Sequence, residues 1–265
     1  MSEKINQKLT NNEINLKKFK NGSILYNGDC LEIMPIIDKK VNVILTSPPY
    51  NTQRNLKDRT YDIYLDSIEN SAYLNFSENV FNLYNKILEK NGIILYNLSY
   101  GNENPTIMFE VINNLLKKTN FLVADIIIWK KKNAMPNNMS HNKLTRIVEF
   151  IFVICRKNEY KTFQSNRKIG QIRSNGQKTY KIEYNFIEAK NNDGPNPYNK
   201  STFSVELCEK LLKIYCKYGD KVLDNFAGTG TTLLACQNLG LDFIGIELSK
   251  NQFKYSIERI LKNEK

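Results

Sequence analysis

Val222-Leu223-Asp224-Asn225-Phe226-Ala227-Gly228-Thr229-Gly230-Thr231-Thr232 sets a short apolar run, an acid, a glycine turn and the start of a helical pattern in direct succession. A strand that enters such a turn and opens into a helix lets backbone approach a ligand closely at the helix N-terminus. The helical pattern continues over residues 231–239 and a strand follows over 242–247, so the run is a βαβ unit. Glu247 ends the second strand, where a carboxylate can accept hydrogen bonds from both hydroxyls of a ribose. Leu233 stands where the dinucleotide fingerprint G-x-G-x-x-G has its third glycine, so the turn departs from that fingerprint. A close-packed strand–helix turn without a ligand is the plain alternative.

Outward from this unit, short apolar strands alternate with amphipathic helices, which predicts a doubly wound α/β fold with a mostly parallel sheet. A strand over 41–45 ends at Thr46-Ser47-Pro48-Pro49-Tyr50, and the polar residues 51–72 fit a loop. A helix follows over 73–89, closed by Asn91-Gly92, with a strand over 93–98. A helix over 106–117, a strand over 121–129, a loop over 130–145 and a strand over 147–155 come next. From 158 to 198 the periodicity fades, and the turn cluster 191–197 ends that stretch. A helix over 204–218 and a strand over 221–225 lead back to the opening motif.

Ser47-Pro48-Pro49-Tyr50 is the second motif with chemistry in it. Two prolines after an apolar strand stop the sheet, remove two backbone donors and leave carbonyls free. That suits an aromatic amine, whose two hydrogens need two acceptors; the Ser47 hydroxyl and the Pro48 carbonyl can supply them. Accepting both hydrogens pulls the nitrogen toward tetrahedral geometry and localises its lone pair. Tyr50 offers a flat face for stacking a base that has left its duplex. A Pro-Pro turn capped by a surface tyrosine is the bland alternative.

Composition narrows the rest. The 265 residues, 41% of them hydrophobic, suffice for one sizeable core plus an insertion. No apolar run reaches the roughly 18 residues of a membrane span, and the polar N-terminus argues against secretion, so a cytoplasmic protein is expected. Five scattered cysteines and one histidine, with no CxxC pair, predict reduced buried thiols and no metal site. The net charge of +11 is concentrated: residues 130–190 hold 14 Lys or Arg against 4 Glu and no Asp, a net +10. Such a field suits a polyanion, although a Lys-rich solvated surface would look the same.

The two motifs in this order, Thr-Ser-Pro-Pro-Tyr first, then a basic variable stretch, then Phe-Ala-Gly-Thr-Gly, resemble the amino-methyltransferase family of DNA enzymes from restriction–modification and orphan systems. The order is that of the circularly permuted β class, and the resemblance covers about residues 22 to 260. It implies a Rossmann-like methyltransferase fold, S-adenosylmethionine as cofactor and double-stranded DNA as partner. A cognate restriction endonuclease, and a monomeric or homodimeric state, stay open. It also implies roles: Ser47, Pro48, Pro49 and Tyr50 at the reacting amine, and Asp224, Asn225, Phe226, Ala227, Gly228, Thr229, Gly230, Thr231, Glu247 and Leu248 around the cofactor. Asn27-Gly28-Asp29-Cys30 resembles the segment whose acid meets the cofactor's adenine, which nominates Asp29 and Cys30; a helix N-cap is the plain alternative for Asp29. Thr202, Phe203 and Ser204, in Asn199-Lys200-Ser201-Thr202-Phe203-Ser204, fall where the methionine carboxylate is bound, though His-Pro and Lys-Pro dipeptides common there are missing. Lys130, Lys131, Lys132, Lys143 and Arg146, ahead of Glu149, resemble the last target-pocket loop, and Arg167, Lys168 and Arg173 are the DNA-contacting candidates of the variable stretch.

The expected organisation is an N-terminal extension over 1–20, a catalytic domain from 21–157 and 198–265, and a target-recognition insertion over 158–197 to which loop 130–145 contributes. The expected reaction is direct methyl transfer to an exocyclic amine, leaning to cytosine N4 because Ser47 precedes the prolines, with adenine N6 as the alternative. An RNA or protein methyltransferase and an inactive DNA-binding relative are the remoter readings.

Overall fold

The computed structural model describes residues 15–53, 66–137, 140–199 and 202–263. Its elements are β1 (Leu16–Lys18), β2 (Ile24–Asn27), α1 (Cys30–Ile33), β3 (Val41–Thr46), α2 (Asn70–Ile87), β4 (Leu88–Leu98), α3 (Ile107–Lys118), β5 (Phe121–Lys131), β6 (Val148–Arg156), β7 (Ile169–Ile172), β8 (Lys178–Tyr180), β9 (Phe186–Ala189), α4 (Val205–Tyr215), β10 (Lys221–Asp224), α5 (Thr231–Asn238), β11 (Asp242–Glu247) and α6 (Lys250–Asn263). One nine-stranded sheet has the order β1-β2-β11-β10-β3-β4-β6-β5-β9, and β7 and β8 form a separate hairpin. From β2 through β4 every pairing is parallel. β6 runs antiparallel between β4 and β5, and β9 lies parallel on β5. This is the doubly wound, mostly parallel α/β fold.

Both faces of the sheet are covered, which explains why its central strands are near-continuously apolar. Successive side chains of β3 face opposite ways: Val43 and Leu45 join one apolar cluster and Ile44 the other. The first cluster takes Leu207, Leu211 and Leu212 of α4, Leu233 and Ala235 of α5 and Phe253 and Ile260 of α6. The second takes Val80, Phe81, Tyr84 and Ile87 of α2 and Val111 and Leu115 of α3, each set at helical spacing.

Four boundaries differ from the sequence reading. Residues 1–14 of the expected extension lie outside the described residues, but β1 pairs antiparallel with β2 and Phe19 is buried in the core, so the domain begins before 21. Asn91-Gly92 does not cap a helix. Val41 pairs with Leu88 whereas Val43 pairs with Ile93, so residues 89–92 bulge from the ladder, with Asn91 at φ 60°. A Cβ at Gly92 would come within 2.8 Å of the Asn42 carbonyl, so glycine is needed for close strand approach. Part of the expected insertion, β9, belongs to the main sheet, where the Trp129 indole donates to the Ala189 carbonyl at 3.3 Å. Of the loop over 51–72, residues 54–65 lie outside the described residues, and α2 already begins at Asn70; Asp66 accepts from the Asn51 and Thr52 amides.

Candidate active site

The chain leaves β3 toward β4 on one side and β10 toward β11 on the other, so the adjacent strands β3 and β10 mark a topological switch point. Ligands of such sheets bind in the crevice outside the strand carboxyl ends. Both sequence motifs sit there. The Thr46 hydroxyl donates to the Asp224 carboxylate at 2.7 Å, joining the end of β3 to the end of β10. Asp224 is buried, and burial pushes its carboxyl up to about 6; hydrogen bonds from Thr232, Thr46 and the Phe226 amide offset part of that rise.

A cavity of about 190 Å³ opens beside the glycine turn. Around it stand Asp29, Cys30, Thr202, Phe203, Asp224, Asn225, Phe226, Ala227, Gly228, Thr229, Thr231, Glu247 and Leu248. Two residues expected there stand behind it. Ser204 is the N-cap of α4, accepting from the Leu207 amide and donating to the Lys190 carbonyl at 2.8 Å. Gly230, at φ 79°, caps α5, and a Cβ there would overlap the Ser256 hydroxyl. Glu247 braces the turn as well as facing the cavity: its two carboxylate oxygens accept from the Gly228 amide at 2.6 Å and the Ser249 amide at 2.7 Å. Asp29 lines the cavity and also caps α1 through the Leu31 amide at 2.8 Å. Lys200 and Ser201 lie outside the described residues.

A second cavity, about 390 Å³, lies over the ends of β3, β4, β5 and β6. Ser47, Tyr50, Asn97, Trp129, Lys131, Arg146 and Glu149 are among its walls, while Pro48 is buried and lines neither cavity. Ser47 Oγ lies 2.9 Å from the Tyr50 hydroxyl, which donates to Glu149 Oε2 at 3.0 Å. The Asn97 amide donates to Tyr50 Oη at 2.5 Å and to Glu149 Oε2 at 2.9 Å, and Lys131 pairs with Glu149 Oε1 at 2.5 Å. The Pro49 carbonyl is taken by the Tyr73 hydroxyl at 2.5 Å. Ser47, Thr202 and Phe203 belong to both cavities.

The basic candidates divide. Lys130, Lys131 and Lys132 pair with Glu188, Glu149 and Glu206, so this run is a set of ion pairs rather than a bare cationic strip. Arg146 stacks on Tyr100 at 4.5 Å and donates to its carbonyl at 2.6 Å, whereas Lys143 is exposed. Residues 162–166 pass along the opposite end of the sheet: the Gln164 amide donates to the Asn91 carbonyl and its side chain to Tyr215 O, and Asn166 N donates to Ile214 O. Arg167 and Lys168 line a groove beside Lys213 of α4, and Arg173 donates to Gln177 at the hairpin turn.

Sequence reasoning passed over Gly28, Phe76, Asn97, Asn199 and Gln252 as cavity residues. Asn97 had a usable signal, since it nears the carboxyl end of the strand beside β3. All five cysteines are buried and unpaired, and burial raises the Cys30 thiol to about 12. Among the described residues, no group of three His, Cys, Asp or Glu is arranged to hold a metal ion, and no helix is long and apolar enough to cross a membrane.

Comparison with known proteins agrees with this geometry. The chain is 25% identical over 275 aligned positions to the type II methyltransferase M.Cfr9I of Citrobacter freundii, covering 91% of this chain and 88% of that one. The M1.HpyAVI–SAM complex superposes with a TM-score of 0.61 at 26% identity, covering 89% of this chain and 98% of that one. The cytosine-N4-specific PvuII DNA methyltransferase superposes with a TM-score of 0.69, covering 91% and 87%, and at 18% identity it is similar in fold. The family model for N6/N4 DNA methylases matches residues 41–258. The chain therefore belongs to the N6/N4 DNA methylase family.

Proposed function

We propose that this methyltransferase moves the methyl group of S-adenosylmethionine to the exocyclic N4 of a cytosine turned out of double-stranded DNA. The observation that carries the reading is Ser47, whose side chain stands in the wall between the two cavities. A donor in the first cavity and a base in the second would meet there. The first cavity has the chemistry for such a donor. The Glu247 carboxylate faces this cavity and can accept from ribose hydroxyls, Asp29 can accept from an adenine amine, and the Gly228 turn leaves room for backbone approach. Held there, the sulfonium would supply an electrophilic methyl carbon to the amine and would itself leave as a neutral thioether.

The second cavity supports a role for Ser47 as acceptor. Tyr50 has one hydroxyl proton and gives it to Glu149, so the Ser47 hydroxyl must donate to Tyr50. The Asn97 amide also reaches Ser47 Oγ at 3.4 Å, so one Ser47 lone pair then remains for a hydrogen of the target amine. Lys131 and Asn97 fix the Glu149 carboxylate at the far end of this chain of bonds. The methylated amine becomes acidic and loses its proton to water, so no strong base and no covalent enzyme intermediate are needed. Most of the acceleration would come from positioning and exclusion of water.

The base assignment rests on Ser47: a neutral hydroxyl sits close to a pyrimidine amine, the more electron-poor of the two candidates. The DNA-contacting surface is assigned to loop 132–147 and to the β7–β8 hairpin, where residues 167–181 hold five Lys or Arg and no acid. The test is to modify DNA with the protein, digest it to nucleosides and weigh them. N4-methylcytosine is expected; N6-methyladenine alone would overturn the base assignment and leave the site in place.

A further inference from the structure

Loop 132–147 carries two apolar side chains that the fold does not use. Met135 is 81% exposed although it lines the second cavity, and Leu144 is 90% exposed. Isolated exposed apolar residues are ordinary on a protein surface, but these two share one loop at the mouth of a cavity. The loop is braced. The Asn137 amide donates to the Thr145 hydroxyl at 2.9 Å and its side chain to the Lys143 carbonyl at 3.2 Å, tying the arm of Met135 to the arm of Leu144. Arg146 anchors the second arm on Tyr100. Beyond the ion-paired Lys130, Lys131 and Lys132, residues 133–147 add Lys143 and Arg146 with no Asp or Glu, so the surroundings of the pair attract phosphate.

We propose that Met135 and Leu144 form an apolar wedge that enters the DNA stack and fills the space left by the extruded base. The inference rests on the DNA-methylation reading and deepens it. Turning a base out of a duplex loses stacking and pairing, and an empty gap between neighbouring pairs invites the base back. Apolar side chains of the Leu and Met type are suited to occupy such a gap because they stack against base faces without needing hydrogen-bond partners. The Ser47–Tyr50–Glu149 chain acts on a base already in the cavity, whereas the wedge holds the duplex open.

These two roles can be separated by the choice of substrate. With the modified sequence mapped on plasmid DNA, single-turnover methyl transfer is measured on two duplexes of that sequence, one fully paired and one mismatched at the target base. A Met135→Ala/Leu144→Ala protein should lose about 10- to 100-fold on the paired duplex and recover to within a few-fold of wild type on the mismatched one, where extrusion is already easy. Calorimetric S-adenosylmethionine binding, expected to equal wild type, confirms that the variant is folded. Wild-type rates for the variant on paired DNA, or equal losses on both duplexes, would overturn the wedge. If the wild-type protein methylates neither duplex, the DNA-methylation reading fails first and the wedge falls with it.

Discussion

Replacing Asp224 by Asn should change how stability varies with pH. The carboxyl is only 2% exposed, and burial lifts it from an ordinary value of 3.8 to about 6. At about 1.4 kcal/mol per unit, a rise of roughly two units corresponds to about 3 kcal/mol against the ionised form in the folded state. The folded protein therefore holds this proton more tightly than the unfolded chain. That contribution is fully present below the unfolded value of 3.8 and is lost as pH rises through about 6. Asparagine keeps an oxygen to accept from the Thr46 hydroxyl and the Phe226 amide, and it does not ionise. Urea melts at about pH 4 and about pH 7.5, followed by fluorescence of the single, buried Trp129, give both unfolding free energies. From the lower pH to the higher, the difference should move by up to about 3 kcal/mol in favour of Asp224→Asn. A difference that stays constant, or moves the other way, would show that burial does not hold Asp224 against ionisation.

Four further outcomes are expected. Glu247→Ala removes both amide acceptors and the proposed ribose partner, so S-adenosylmethionine affinity measured by calorimetry should fall by about 1.5–3 kcal/mol; unchanged affinity in a folded variant would take Glu247 out of the site. Gly230→Val combines a positive φ with a clash on Ser256, and cofactor binding should nearly vanish; normal binding would show that the turn tolerates a side chain. Ser47→Ala should leave cofactor binding largely unaffected and slow methyl transfer, whereas Tyr50→Ala should weaken capture of the extruded base by about 1–3 kcal/mol in oligonucleotide titrations. DNA affinity should fall steeply with salt, and Ala replacements of Arg167, Lys168 and Arg173 should reduce it while sparing cofactor binding; a flat salt response would remove the hairpin from the DNA footprint.

What the sequence discloses here depends on range. The βαβ unit at 221–247 and the Pro-Pro stop after β3 are local signals, because a short apolar run, a glycine turn and a proline each act within a few residues. Asn91-Gly92 misled the reading because its positive φ serves a bulge as readily as a helix end. β9 was hidden because it is only four residues long and lies at a sheet edge beside a basic stretch. The acid partners of Lys130, Lys131 and Lys132 stand on β9, β6 and α4, brought in by strand pairing and helix docking that no short window records. Asn97 and Glu149 meet Tyr50 for the same reason: the antiparallel register of β4 on β6 puts both at one end of the sheet.

The bond between Thr46 and Asp224 spans 178 positions of sequence, and β2 pairs with β11, the last strand of the sheet to be made. At a synthesis rate of about 5–20 residues per second, the end of β3 leaves the ribosome on the order of 10–40 s before its partner on β10 exists. During that interval β2 and β3 have open edges, and the crevice has only one of its banks. A chain cut short before β10 would carry the Ser47-Pro48-Pro49-Tyr50 segment with no opposite wall. The nascent enzyme is thus kept silent by its own strand order, and its early strands are the segments that a chaperone would have to shield.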